Sequence, residues 1–243
     1  MNGEPADGPS VRVRGDDAVA AAVAEAGATL RPDGPADLLV AVGEDALLGL
    51  AADPPALPVL PVDDAGGPLV VPREAAVAAV AAFAAGDARR VEHPVLGVSV
   101  GDDHVGRALA DVSLVTSEPA RISEYAVESR GRPVAGFRAD GVVVATPLGS
   151  AGYARAAGGP VLGPGTGLAV VPVAPFATTF DTWVRRAPVE LSVERDEGRV
   201  SLVLDDAVVR EVLPHEPVRV DVTTAVELVV PPVAGDEWKS SNE

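Results

Sequence analysis

The feature that most limits the fold is a change of texture at Gly86. Before it, strand-length apolar runs alternate with stretches of helical spacing. Residues 10–14 alternate Val11 and Val13 with Arg12 and Arg14, which predicts a first strand. Asp16 then caps a predicted helix to Gly27, on which Val19, Ala20, Val23 and Ala24 recur at helical spacing. Residues 37–42 read as a buried strand, 43–52 as a short helical stretch and 57–62 as another strand. An Ala-rich helix opens at Pro72 and stops at Gly86. This β-α-β-α rhythm predicts a parallel α/β domain. After Gly86, strand-like segments come in quick succession: 88–92, 95–100, 110–116, 121–129, 134–138, 141–145, 168–173, 188–194, 199–204, 207–213, 217–222 and 225–230. Turns such as 101–103, Arg130-Gly131 and 196–198 part them, and helical spacing survives only at 151–157. The second texture therefore predicts an all-β domain built as a sandwich. The expected domains are 1–87 and 88–233, followed by a polar tail, 234–243, in which Trp238 could dock.

Charge narrows the partners. The chain carries 36 acids against 19 basic residues, a net charge of -17, and Lys239 is its one lysine. Such a surface repels nucleic acid and anionic membranes, so neither is an expected partner. Acid excess together with lysine depletion fits a protein soluble in concentrated salt, as in a halophile. Without cysteine there is no disulfide, thiolate metal site or thiol nucleophile. No apolar run reaches the ~20 residues of a membrane span and no signal-type segment opens the chain, so a cytoplasmic location is expected. His93, His104 and His215 have no metal-ligand spacing and read as surface or turn residues.

The stretch 140–160 carries the chemistry. Val142–Ala145 is a buried strand, and Thr146-Pro147 ends it because Pro147 has no N–H for a ladder. Leu148-Gly149-Ser150 is a tight turn, residues 151–157 could form two helical turns, and Gly158-Gly159-Pro160 stops them. A strand, a Gly/Ser turn and a helix start suit a ribose or phosphate, because unpaired N–H groups point outward. An ordinary strand–turn–helix corner would look the same by spacing alone. The segment also resembles the NAD kinase signature, D-G followed by S-T-P-T-G-S-T-A-Y and S-A-G-G-P. The matching residues are Asp140, Gly141, Thr146, Pro147, Gly149, Ser150, Tyr153, Ala157, Gly158, Gly159 and Pro160. Leu148, Ala151 and Gly152 depart from it.

That resemblance implies an N-terminal Rossmann-like α/β domain followed by a C-terminal β-sandwich. It also implies roles. Gly43-Glu44-Asp45-Ala46 stands where the family has G-G-D-G, which makes Asp45 the general base for the adenosine 2′-hydroxyl of NAD. Asp45 would otherwise simply N-cap the following helix. Glu44 adds charge beside a polyphosphate, and Ala46 tolerates positive φ poorly. Ser117-Glu118 stands where the family has N-E, both of which bind NAD; a plain turn is the alternative. By the same resemblance the nucleotide meets Gly43, Ser117, Glu118, Asp140, Thr146, Gly149, Ser150, Ala151, Gly152, Tyr153 and Ala156. Asp140 in relatives reaches NAD across a subunit interface, which implies a homodimer or homotetramer. Phe176 stands where a histidine is frequent, and Leu204-Asp205-Asp206 resembles the family's V-D-G strand end.

Three expectations follow. The chain is a phosphotransferase moving the γ-phosphoryl of ATP or another donor, with Mg²⁺ on the donor phosphates, to NAD. Alternatively, it is a catalytically degenerate paralogue that binds a nucleotide as a sensor or regulator. A shifted substrate, such as a lipid or sugar, is the third.

Overall fold

The computed structural model describes residues 8–118, 121–196 and 198–230; Pro119 and Trp238 lie outside them. The chain divides into two compact units, Met1–Glu92 with Val226–Glu243, and His93–Ala225. The division falls five residues after the expected boundary. The segment from Val226, expected in the β domain, belongs to the first unit, where Leu228 registers in parallel with Val59.

In the first unit, β1 (Ser10–Arg14), α1 (Asp17–Glu25), β2 (Thr29–Leu30), β3 (Leu38–Val42), α2 (Glu44–Leu48), β4 (Val59–Val62) and α3 (Ala76–Ala85) follow in turn. The strands are parallel in the order β2-β1-β3-β4. β3 and β4 are buried throughout, so apolar residues fill both faces instead of alternating. Asp16 starts α1 by accepting N–H bonds from Ala18 and Val19 at 2.8 and 3.1 Å, a cap worth about 1 kcal/mol. Val19 and Val23 of α1 then meet Ala76, Ala79 and Val80 of α3 over the sheet. Burying each valine stabilises the unit by about 1.5–3 kcal/mol.

The second unit is a β-sandwich. β5 (Arg89–Val100) enters it at His93 and pairs with β6 (Asp103–Ala108). Next come β7 (Asp111–Thr116), β8 (Ser123–Ser129), β9 (Arg132–Ala139), β10 (Gly141–Ala145), α4 (Tyr153–Ala156) and β11 (Leu168–Val173). Then follow β12 (Trp183–Arg185), β13 (Val189–Arg195), β14 (Val200–Leu204), β15 (Ala207–Val212) and β16 (Val218–Val230), the last leaving the unit after Ala225. One sheet runs β16-β13-β8-β9, and the other runs β12-β11-β10-β7-β14-β15. Tyr125, Val127, Leu191 and Val193 of the first sheet pack on Leu114, Val142, Val144 and Leu202 of the second. On the outer face of the second sheet, Val143, Ala145, Ala169 and Val171 are covered by Ala154 of α4 and by Leu162. β10 is therefore buried on both faces and carries a loop at each of its two ends.

Three sequence expectations are corrected. β6 is not among the expected strands, because Val105 and Ala108 are its only apolar residues and Gly106 interrupts it. His93 is not a surface residue: it lies in β5 with 1% of its surface exposed. Helical structure after Ser150 is one turn of α-helix preceded by a 3₁₀ turn, Gly149–Ala151.

Candidate functional site

The signature loop is built on Leu109 and Ala110, the two residues before β7. Asp205 lies in the β14–β15 turn with φ 54°. Its carboxylate accepts the N–H groups of Leu109, Ala110 and Asp111 at 2.9, 2.7 and 3.0 Å. Burial pushes the Asp205 carboxyl upward, while those three bonds draw it down. The carbonyls of Leu109 and Ala110 point to the loop, whereas that of Asp111 accepts the Asp205 N–H at 2.9 Å. Thr146 Oγ1 donates to the Leu109 and Ala110 oxygens, both at 2.9 Å, and Thr146 N donates to Ala110 O at 2.9 Å. Gly149 packs on Ala110 so closely that a Cβ there would lie 2.2 Å from the Ala110 oxygen, so no other residue fits this backbone. Ser150 Oγ donates to Pro147 O and accepts Leu162 N–H, each at 2.8 Å. Thr146 and Ser150 are fully buried, so their hydroxyls hold the loop from inside. Beyond them, Ala151 is half-buried, whereas Gly152, Tyr153 and Ala156 face solvent along one side of α4.

Leu109 O has a further partner, His93 Nε2 at 3.1 Å. The carbonyl can only accept, so His93 carries a proton on Nε2. Burial holds its pKa down, from the usual 6.5 to about 4, and the neutral ring is the folded form.

The other end of β10 gathers the acidic residues. In the antiparallel pairing of β7 with β10, Val115 lies opposite Gly141 and Asp111 opposite Ala145. Ser117, Glu118 and Asp140 therefore share one end, and Thr146 and Gly149 occupy the other, about 15 Å away for a five-residue strand. The Asp140 backbone is fixed on both sides. Its N–H donates to Val173 O at 3.0 Å, and its O accepts Thr116 N–H at 2.7 Å and the Tyr125 hydroxyl at 3.5 Å. This leaves the Asp140 side chain exposed. Ser117 and Ser201 share a hydroxyl hydrogen bond of 2.7 Å, and Glu118 is exposed beside them. Tyr153, the first residue of α4, is 43% exposed. Burial raises the pKa of its phenol, and the charges of Asp111 and Asp140, one from each end of β10, raise it further. A neutral phenol can both donate and accept, which suits the hydroxyls of a ribose. Phe176, 69% exposed, has the Arg138 guanidinium 5.7 Å from its ring centre.

In the first unit, the fully buried β3 runs into Gly43, whose φ of 83° demands glycine. Gly43 N donates to Val62 O at 2.8 Å, and α2 starts at Glu44 with no side-chain cap. Asp45 is thus not an N-cap; it lies in the first turn of α2 with its side chain exposed, and Glu44 is exposed beside it. Ala46 is not among the residues with positive φ, so its Cβ is no obstacle to the loop.

Residues 109–230, half of the chain, match the family model of the ATP-NAD kinase C-terminal domain. The chain belongs to the NAD kinase family. The matched segment begins at Leu109, the first of the two residues on which the signature loop is built, and ends with β16. A NAD kinase of Methanopyrus kandleri is 35% identical over 129 residues, 53% of this chain and 44% of that protein. One of Methanospirillum hungatei is 40% identical over 78 residues, 32% of this chain and 29% of that protein. The matched stretches thus span less than half the length of these curated relatives. The fold extends further than the sequence likeness. Yeast NADH kinase complexed with NADH superposes with a TM-score of 0.74 at 14% identity, over 98% of this chain and 89% of that one. An Archaeoglobus fulgidus NAD kinase in complex with ATP gives 0.69 at 21% identity, over 94% of this chain and 95% of that one. The two-domain NAD kinase fold, with its C-terminal β-sandwich, is therefore shared.

Sequence reasoning missed several residues that shape the two ends of β10. Leu109 and Ala110 act through backbone groups, which leave no signal in side-chain identity. Tyr125 reads as an ordinary core aromatic, yet its hydroxyl reaches Asp140 O. Asp205 was visible only through the resemblance of its turn.

Proposed function

We propose that this chain transfers the γ-phosphoryl of ATP, or of another phosphoryl donor, to the 2′-hydroxyl of NAD. What supports the reading most is the family match over 109–230 together with a signature loop whose Thr146, Gly149 and Ser150 are all engaged in one interlocked fold. Glu118, Asp140 and Tyr153 hold the dinucleotide through its hydroxyls. Ser117, Ala151, Gly152 and Ala156 line the same surface, and Thr146, Gly149 and Ser150 keep it in shape.

Asp45 is the general base. Its carboxylate is not occupied in capping α2, so it can accept a proton. It takes the proton of the 2′-hydroxyl as that oxygen forms its bond to the γ-phosphorus; the bond from phosphorus to the bridging oxygen breaks, and ADP leaves with that electron pair. Among the described residues no three carboxylate or imidazole groups are arranged to hold a metal. A Mg²⁺ brought in by the donor phosphates would neutralise part of their charge. No helix among the described residues is long and apolar enough to cross a membrane. We extend the reading to a cytoplasmic, salt-adapted homodimer or homotetramer in which Asp140 serves a neighbouring subunit's nucleotide.

The test is NADP formation by the whole chain, with ATP and with polyphosphate, from low to multimolar KCl. Asp45→Asn should lower kcat by roughly 10²–10⁴-fold and leave NAD affinity unchanged. An unmutated chain that binds NAD but makes no NADP with either donor would replace the transferase with a nucleotide-binding relative.

A further inference from the structure

In the first unit the order β2-β1-β3-β4 means that the chain leaves β1 in one direction along the sheet and β3 in the other. Open α/β sheets take ligands at such a reversal, outside the carboxyl ends of the two strands. Here those ends carry Gly15-Asp16 after β1 and Gly43 after β3. A guanidinium stands between them. Arg73, brought in by the 3₁₀ turn Arg73–Ala75, pairs through Nη1 with Asp16. Its Nε pairs with Asp64 at 3.1 Å, and its backbone N–H donates to the other oxygen of Asp64, also at 3.1 Å. Asp16 is itself immobilised as the cap of α1, and the Val19 N–H leads the influences that lower its pKa. Two edges of the guanidinium are therefore fixed. The third nitrogen, Nη2, faces Gly43, where a Cβ would come within 3.5 Å of it.

The surroundings make this arginine consequential. Asp16, Glu44, Asp45, Asp63 and Asp64 all lie on the segments that leave the carboxyl ends of β1, β3 and β4. Unopposed, they would repel any oligophosphate. Arginine keeps its charge at every accessible pH, and with Nε and Nη1 engaged its Nη2 still carries N–H groups that can donate to phosphate oxygens. A guanidinium pinned along two edges has already lost the side-chain freedom that a free arginine would lose on binding.

We propose that Arg73 is a donor-binding residue: held by Asp16 and Asp64, it presents Nη2 at Gly43 to a phosphate of the phosphoryl donor. The inference rests on the transferase reading for the identity of the donor, but the anion site itself does not need catalysis. Arg73 touches the donor and not NAD, so it governs donor affinity alone.

Two measurements separate the failures. The first is binding of inorganic triphosphate to the whole chain at low ionic strength, in the parent, Arg73→Gln and Arg73→Lys, with melting curves to show that each variant folds. The parent should bind, Arg73→Gln should weaken binding at least tenfold, and Arg73→Lys should recover part of the loss because it keeps the charge but not the two contacts that pin the guanidinium. The second is NADP formation, where Arg73→Gln should raise the donor KM by a similar factor, change kcat little and leave the KM for NAD unchanged. Folded Arg73→Gln with the parent's triphosphate affinity, or a parent that binds no triphosphate, would overturn the site. A parent that binds triphosphate through Arg73 but makes no NADP would overturn the transferase reading and leave the site standing.

Discussion

Asp205→Asn tests whether the signature loop rests on one carboxylate. Oδ1 of Asp205 accepts from Ala110 and Asp111, and Oδ2 accepts from Leu109. Asparagine can put its carbonyl oxygen at one of these places only. With the oxygen toward Ala110 and Asp111, two bonds survive as neutral ones, each weaker by about 1 kcal/mol than its charge-assisted form. The amide then points its own N–H at that of Leu109, and an unsatisfied N–H costs about 1–3 kcal/mol. Burial works in the opposite direction: it raises the Asp205 pKa, so removing the charge returns part of the loss. The net expectation is about 2–4 kcal/mol of lost stability. Backbone strain does not enter, because asparagine accepts the φ of 54° at this position as readily as aspartate. Urea unfolding gives the stability change, and hydrogen exchange at the amides of 109–111 locates it. Because Thr146 and Gly149 lean on Leu109 and Ala110, NAD affinity should fall with it. A variant as stable as the parent, with the Leu109 amide equally protected, would refute the account of the loop.

His93 should set part of the acid sensitivity. The unfolded chain protonates it near 6.5 and the folded one only near 4, so stability is full above 6.5 and falls as pH drops towards 4. The loss reaches about 3 kcal/mol for a shift of this size. His93→Gln retains an N–H donor for Leu109 O and should flatten this part of the profile; parallel urea-stability curves for parent and variant between pH 7 and 4.5 would contradict the buried neutral imidazole. The net charge of -17 implies a melting temperature that climbs from low salt to multimolar KCl, and a flat or falling curve would remove the halophile reading.

Much of the fold was legible because it depends on local pattern. The continuous apolar runs of β3 and β10 announced strands buried on both faces, and the Asp16 cap and the Ala-rich spacing before Gly86 announced α1 and α3. The change of texture near Gly86 separated the α/β unit from the sandwich, because the two architectures demand different periods. The signature at 140–160 was legible as a sequence of residue types. What each residue does was not, because a hydroxyl at Thr146 or Ser150 reads the same whether it meets a ligand or a carbonyl of its own chain. Only the folded chain brings Asp205 to the N–H groups of 109–111, 94 to 96 residues earlier, and turns Thr146 inward onto the Leu109 and Ala110 oxygens. The pinning of Arg73 by Asp16 and Asp64 is likewise a product of tertiary structure. The sequence by itself determined most of the strands and helices, since period, capping and turn chemistry act over a few neighbouring residues, but β6 and the return of the segment from Val226 to the first unit were decided by pairing. Which backbone groups support the loop, and which charges face one another, was decided by strand order and register, which are set by packing between segments far apart in the chain.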